Sequence, residues 1–139
     1  MSQISAKNWD VIRWPHFTAA EFICPHSGDC AMQAEFLDML QMLRVRLNRP
    51  LIINSGYRSA THPREVAKPI AGAHNMGCAA DIALAGGDAF KLVQAAFALG
   101  CQGIGIKQHG PIESRFIHLD MSPSRIHAPR PALWSYAHG

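Results

Sequence analysis

The chain has 139 residues, enough for one hydrophobic core and too few for a large multidomain enzyme. Hydrophobic residues make up 48% and charged residues 17%, which excludes a disordered, highly charged chain. The formal net charge of +3 suits a polyanionic surface such as a cell wall or a nucleic acid, but the basic residues are scattered and the aromatics few, so no nucleic-acid partner is expected. No apolar run approaches the roughly 20 residues of a membrane-spanning helix, and the first residues, Met1 to Asp10, hold no apolar secretory signal. A chain made in the cytoplasm, with no membrane insertion, is the expectation.

Residues 1–17 carry Trp9, Trp14, Pro15 and Phe17 without periodicity and read as an arm laid on the body. Thr18 to Glu21 has the capping-box pattern and opens a short helical turn through Phe22. From about Met32 to Leu47, apolar Phe36, Leu40, Leu43 and Leu47 recur every three or four residues, the pattern of an amphipathic helix, with Arg44 and Arg46 near its carboxyl end. Pro50 stops it, and Leu51 to Asn54 predicts a short strand. Ser55 to Ala73 is a long segment rich in Gly, Pro, Ser and His, of the kind that usually carries function in a small domain.

Cys78 to Leu84 predicts a buried strand, and Gly86-Gly87-Asp88 a turn into a helix from about Ala89 to Leu99. Gly103 to Ile106 and Phe116 to Asp120 predict two more strands, joined as a hairpin around His109 to Glu113. The tail 122–139 reads as irregular packing. The order implies a single small α+β domain over 1–139, a mostly antiparallel sheet packed against helices. Cys24, Cys30, Cys78 and Cys101 match no zinc-finger or C-x-x-C spacing. Cys24 and Cys30 are read as two semi-buried thiols in a local loop, with a metal or a disulfide as the alternatives.

Three polar residues interrupt segments that should be apolar. His74 and Asp81 flank Asn75-Met76-Gly77-Cys78-Ala79-Ala80, and His118 sits between Ile117 and Leu119. A buried histidine or aspartate needs a partner, since an unpaired one is costly. Two histidines and a carboxylate form a catalytic zinc set with a fourth position left for water. In the alternative, His74 caps a loop, Asp81 caps a turn and His118 is a satisfied core histidine. Zinc is the expected metal, one ion per chain, although nickel or cobalt suits the same donors. The absence of H-E-x-x-H excludes the helix-borne zinc proteases.

The motifs Phe17-Thr18-Ala19-Ala20-Glu21-Phe22, Asn54-Ser55-Gly56-Tyr57-Arg58, His74-x-x-Gly77-x-Ala79-x-Asp81, Gly103-Ile104-Gly105 and Phe116-Ile117-His118-Leu119-Asp120 occur in this order. As a set over roughly residues 17–121, this series resembles the zinc D-alanyl-D-alanine carboxypeptidase and murein endopeptidase family, whose wider clan includes lysostaphin-type enzymes and the hedgehog domain. The resemblance implies that fold, and His74, Asp81 and His118 as zinc ligands. It makes Arg58 the arginine that holds a substrate carboxylate or the developing oxyanion, with a loop-pinning salt bridge as the alternative. It also implies that Tyr57 packs beneath the site, that Gly77 allows the close turn, that Ala79 leaves room beside the metal, and that Ser55 supports the loop.

Relatives place an acid three residues before the last ligand or a histidine two before it; here those positions hold Arg115 and Phe116, neither a base. Glu113 is the first substitute, Asp120 the second and His109 the third. The implied function is a monomeric zinc peptidase hydrolysing peptide bonds in peptidoglycan stem peptides or cross-links, with metal-activated water as the nucleophile. A chain without a signal peptide reaches the wall when released by a holin, as a phage endolysin is, or when carried on a phage tail. The competing reading is a non-catalytic, zinc-stabilised binding or structural module.

Overall fold

A computed structural model describes residues 3–136. In chain order, β1 (Gln3–Ile4) pairs antiparallel with β2 (Met32–Gln33), and α1 (Ala34–Leu47) follows directly. Then come β3 (Ile52–Ser55), the short α2 (Pro63–Val66), β4 (Ala79–Ala83), α3 (Gly86–Ala98), β5 (Gly103–Lys107), β6 (Phe116–Asp120) and β7 (Ala132–Ser135). Five strands form one sheet in the order β3-β4-β6-β5-β7, antiparallel except for the parallel pair β5–β7. This is the expected α+β arrangement of a mostly antiparallel sheet with helices. Among the described residues, no helix is long and apolar enough to cross a membrane.

Alternation along the strands separates two faces of the sheet. Ala80, Ile82, Ile104, Ile117 and Leu119 are buried with Phe36, Leu37, Leu40 and Leu43 of α1 and with Leu92 and Ala96 of α3 in one apolar cluster. The opposite face bears Asp81, His118 and Asp120. Register fixes their order: Ser55 pairs with Asp81, Asp81 with His118, His118 with Gly105, and Gly105 with Trp134. One row across all five strands therefore holds two of the polar residues picked out by sequence.

Several elements differ from the sequence expectation. The first long helix starts at Ala34, because Met32 and Gln33 are taken by pairing with Gln3 and Ile4. The second starts at Gly86, so the Gly86-Gly87-Asp88 segment is its first turn, with Asp88 at the positive end of the dipole. The tail contains β7, a strand, where irregular packing was expected; its partner β5 lies far away in sequence, and only tertiary pairing reveals it. Residues 137–139 of that tail and residues 1–2 of the arm lie outside the described residues.

Trp9, Trp14, Phe17 and Phe22 form an aromatic group with centroid separations of 5.2–5.8 Å. Thr18 and Glu21 complete the expected capping box of a 3-10 turn over Ala19–Phe22. All four cysteines are free: Cys24 Sγ meets Ser59 Oγ and Cys30 Sγ meets the Ile4 carbonyl, each at 3.7 Å.

Candidate metal centre

His74 is held in place by a turn that only glycine can close. Gly77 has φ +75°, and a Cβ there would run into the carbonyl oxygen of Ala31. Its N–H donates to His74 O at 3.3 Å, and its carbonyl accepts from Gln33 N at 2.8 Å, tying the turn to the start of α1. Arg58 N donates to His74 O at 3.2 Å, and the Asn75 side chain donates to Arg58 O at 2.9 Å. The loop and the turn are thereby laced together.

The hydrogen bonds decide which ring nitrogen faces the centre. His74 Nδ1 lies 2.8 Å from the carbonyl of Gly56, which can only accept, so Nδ1 carries a hydrogen and Nε2 is the atom left to face the centre. That Nε2 is 3.4 Å from Asp81 Oδ1. His118 Nε2 lies 2.7 Å from Asp120 Oδ2, which directs its other nitrogen, Nδ1, to within 3.0 Å of Asp81 Oδ1. One ligand atom each from His74, Asp81 and His118 falls within 4.8 Å of the others. Among the described residues this is the one such cluster of three or more His, Cys, Asp or Glu. Two imidazoles and a carboxylate brought together in a buried place are a donor set that suits zinc.

The electrostatics reflect the same convergence. Burial pushes the Asp81 carboxyl up, but hydrogen bonds from His118 and His74 outweigh it and hold the group well below the usual carboxylate range. Burial lowers His118, while its bonds to Asp120 and Asp81 more than compensate and raise it. Asp120 has no exposed surface, and its oxygens accept from His118 Nε2, Arg130 Nε, Arg130 Nη2 and Ser122 N. These bonds, His118 and Arg130 foremost, overcome burial and keep it ionised. Asp120 thus fixes the His118 ring from behind, as a partner of a metal-binding histidine would.

His74, Asp81 and His118 open onto a cleft of about 770 Å³. One wall runs from Pro63 to Ala73; the other is built by Arg125, His127, Ala128, Arg130, Trp134 and Tyr136. Arg58 lines it too, with Nη2 3.4 Å from Asp81 Oδ2 and Nη1 3.8 Å from Glu65 Oε2. The salt-bridge alternative for Arg58 is therefore present in the geometry, alongside its exposure to the cleft. Trp134 lies against His118, ring centroids 5.2 Å apart, and Tyr136 against Phe116 at the same separation. Burial raises the Tyr136 phenol above its ordinary value despite a hydrogen bond with Trp134.

Other residues singled out by sequence do not line this cleft. Glu113 is exposed in a 3-10 turn over Ile112–Ser114, because that turn closes the hairpin away from the cleft walls. His109 is exposed, and its Nε2 bonds the Tyr136 carbonyl at 2.9 Å. Tyr57 packs against the apolar cluster, beside Cys24, Asp29 and Cys30. Ser55 contributes its register with Asp81 rather than a contact inside the cleft. Sequence reasoning missed Glu65, Arg125, His127, Arg130, Trp134 and Tyr136; the alternation from Arg130 through Ala132, Trp134 and Tyr136 was the available signal in the tail.

Compared with known proteins, no curated protein and no solved structure matches the chain. A family model described as Peptidase M15 matches residues 15–120. That span runs from the aromatic arm to Asp120 and takes in every one of the converging donors. A match over most of the chain, with a zinc donor set at its centre, establishes that this protein belongs to the peptidase M15 family of zinc-dependent metallopeptidases.

Proposed function

We propose that this M15 family member is a zinc peptidase that hydrolyses peptide bonds in peptidoglycan, within stem peptides or their cross-links. The observation that carries the reading is the convergence of His74 Nε2, Asp81 and His118 Nδ1, with the far nitrogens tied to Gly56 O and Asp120. Zinc held there supplies Lewis-acid polarisation of a carbonyl and lowers the pKa of a water to about 7. Arg58 adds a planar guanidinium, suited to a substrate carboxylate or a developing oxyanion, and it is ion-paired with Asp81 and Glu65. The Tyr136 phenol keeps its hydrogen and enters the cleft as a donor.

The cleft walls also support a polymeric, anionic substrate. Arg58, Arg64, Lys68, Arg125 and Arg130 line the cleft against Asp81 as its one lining carboxylate. Stem peptides bring carboxylates of their own, and an open cleft accepts a chain rather than a small molecule.

The test is turbidity loss of permeabilised bacteria treated with native, chelated and zinc-restored protein. Lysis should disappear with the chelator and return with zinc, with one zinc per chain by elemental analysis. One observation favours a second reading, a zinc-stabilised module without turnover: Glu113, the substitute base in the loop before His118, lies outside the cleft. Zinc bound at one per chain without lysis in any sample would select that reading.

A further inference from the structure

We propose that His127, from the segment following β6, is the general base of the hydrolysis. The inference rests on the peptidase reading above. Residues 121–136 lie beyond the family-matched span of 15–120, yet they build one wall of the cleft. The turn that carries His127 is fastened on both sides of the metal-binding trio. On one side, Arg125 Nη1 donates to Ala71 O at 2.7 Å, three residues before His74. On the other, Arg130 Nε and Nη2 donate to Asp120 at 3.0 and 2.9 Å, and Asp120 accepts from His118. Between these anchors, Arg125 and Ala128 exchange backbone hydrogen bonds of 3.1 and 3.0 Å, and Arg130 N donates to Ser124 Oγ at 3.0 Å. His127 sits in this closed turn, exposed to water and lining the cleft.

Elimination leads to the same residue. His74, Asp81 and His118 are engaged with one another at the centre. Arg58, Arg64, Arg125 and Arg130 carry no lone pair to offer, and Lys68 is paired with Glu65 at 2.9 Å. Tyr136 is a donor. Glu65 is buried behind Arg58 and does not line the cleft. Asp120 is sealed from water by the four donors already described, and Glu113 is elsewhere. Among the described residues lining the cleft, His127 is the side chain left with a ring nitrogen able to accept a proton from water and pass it on.

The step balances. As the water oxygen bonds to the scissile carbonyl carbon, His127 takes one of its protons. When the C–N bond breaks, the imidazolium gives that proton to the leaving amine, and the histidine ends the cycle neutral.

The experiment compares zinc-loaded native protein, His127→Ala and Glu113→Gln on soluble muropeptides released from sacculi by a muramidase, with products read by mass spectrometry. His127→Ala should keep one zinc per chain, the native melting temperature and the native affinity of the metal-free protein for those muropeptides. Its kcat should fall about 10²–10⁴-fold with KM little changed, the range for removal of a general base. Imidazole added to the buffer should restore part of the lost rate, a rescue that a purely structural role would not give. Glu113→Gln should turn over at the native rate.

Native turnover by His127→Ala, with the native protein active, overturns this assignment and leaves the peptidase reading standing. Loss of zinc, of melting temperature or of muropeptide affinity in His127→Ala overturns it in favour of a ligand, packing or binding role. Native protein that holds zinc and yields no product overturns the peptidase reading, and this assignment with it.

Discussion

At the scale of single residues, the support behind the candidate metal centre depends on what is missing as much as on what is present. A Cβ at Gly103 would collide with both carboxylate oxygens of Asp120, and a Cβ at Gly105 would come within 2.5 Å of Trp134 Nε1. Two glycines in β5 therefore make room for the carboxylate and the indole that press on His118. Asp120→Asn removes the charge that faces both His118 and Arg130. Zinc affinity should fall about 10–100-fold, as for other partners of metal-bound histidines, measured by competition with a chromogenic chelator. A second carboxylate, Asp38, makes an independent pH prediction. Arg13 donates to it at 2.8 and 2.7 Å and Trp14 Nε1 at 2.9 Å, and these bonds, the Arg13 bond foremost, hold the Asp38 carboxyl below its ordinary value. A carboxyl depressed in the folded chain stabilises it above the unfolded value of about 3.9 and loses that effect as pH falls through the folded value. Asp38→Asn should therefore be less stable than the native protein at pH 7, and the two urea midpoints should converge as the solution is acidified.

At the scale of elements, β6 was legible because His118 and Asp120 break an otherwise apolar strand, and two buried polar groups on one strand face demand partners. The His74-to-Asp81 spacing was legible through the family resemblance, which implied a close turn at Gly77, and Gly77 does take a positive φ there. What the sequence concealed is long-range. Met32–Gln33 read as helix because its strand partner lies at Gln3–Ile4, and β7 read as irregular because its parallel partner, β5, precedes it by some thirty residues. Glu65 behind Arg58 and Arg130 behind Asp120 were invisible for the same reason, since ion pairs across loops leave no local period. The Arg130 guanidinium stacks over Trp134 at 5.1 Å, so β7 and the His127 turn lean on one another. Trp134→Ala should remove packing from His118 and from Arg130 together. Because Trp134 is half-buried, the loss should fall below the roughly 3–5 kcal/mol of a fully buried aromatic, read as a shift in the urea midpoint.

At the scale of the whole molecule, the sheet divides labour between its faces: apolar residues pack on α1 and α3, and His74, Asp81 and His118, the candidate metal ligands, line the cleft. Zinc, binding the folded chain in preference to the unfolded one, should raise the melting temperature in proportion to the logarithm of its free concentration. The stabilisation should reach about 2.7 kcal/mol at a hundred times Kd, and calorimetry across a zinc series checks it. The row Ser55, Asp81, His118, Gly105, Trp134 has a further consequence for assembly of the chain. Sliding β4 against β6 by one residue would send one member of each pair to the apolar side and part Asp81 from His118. A cation held by both donors together could not bind a slipped sheet, so it would act as a proofreader, favouring the one alignment of strands in which that row exists.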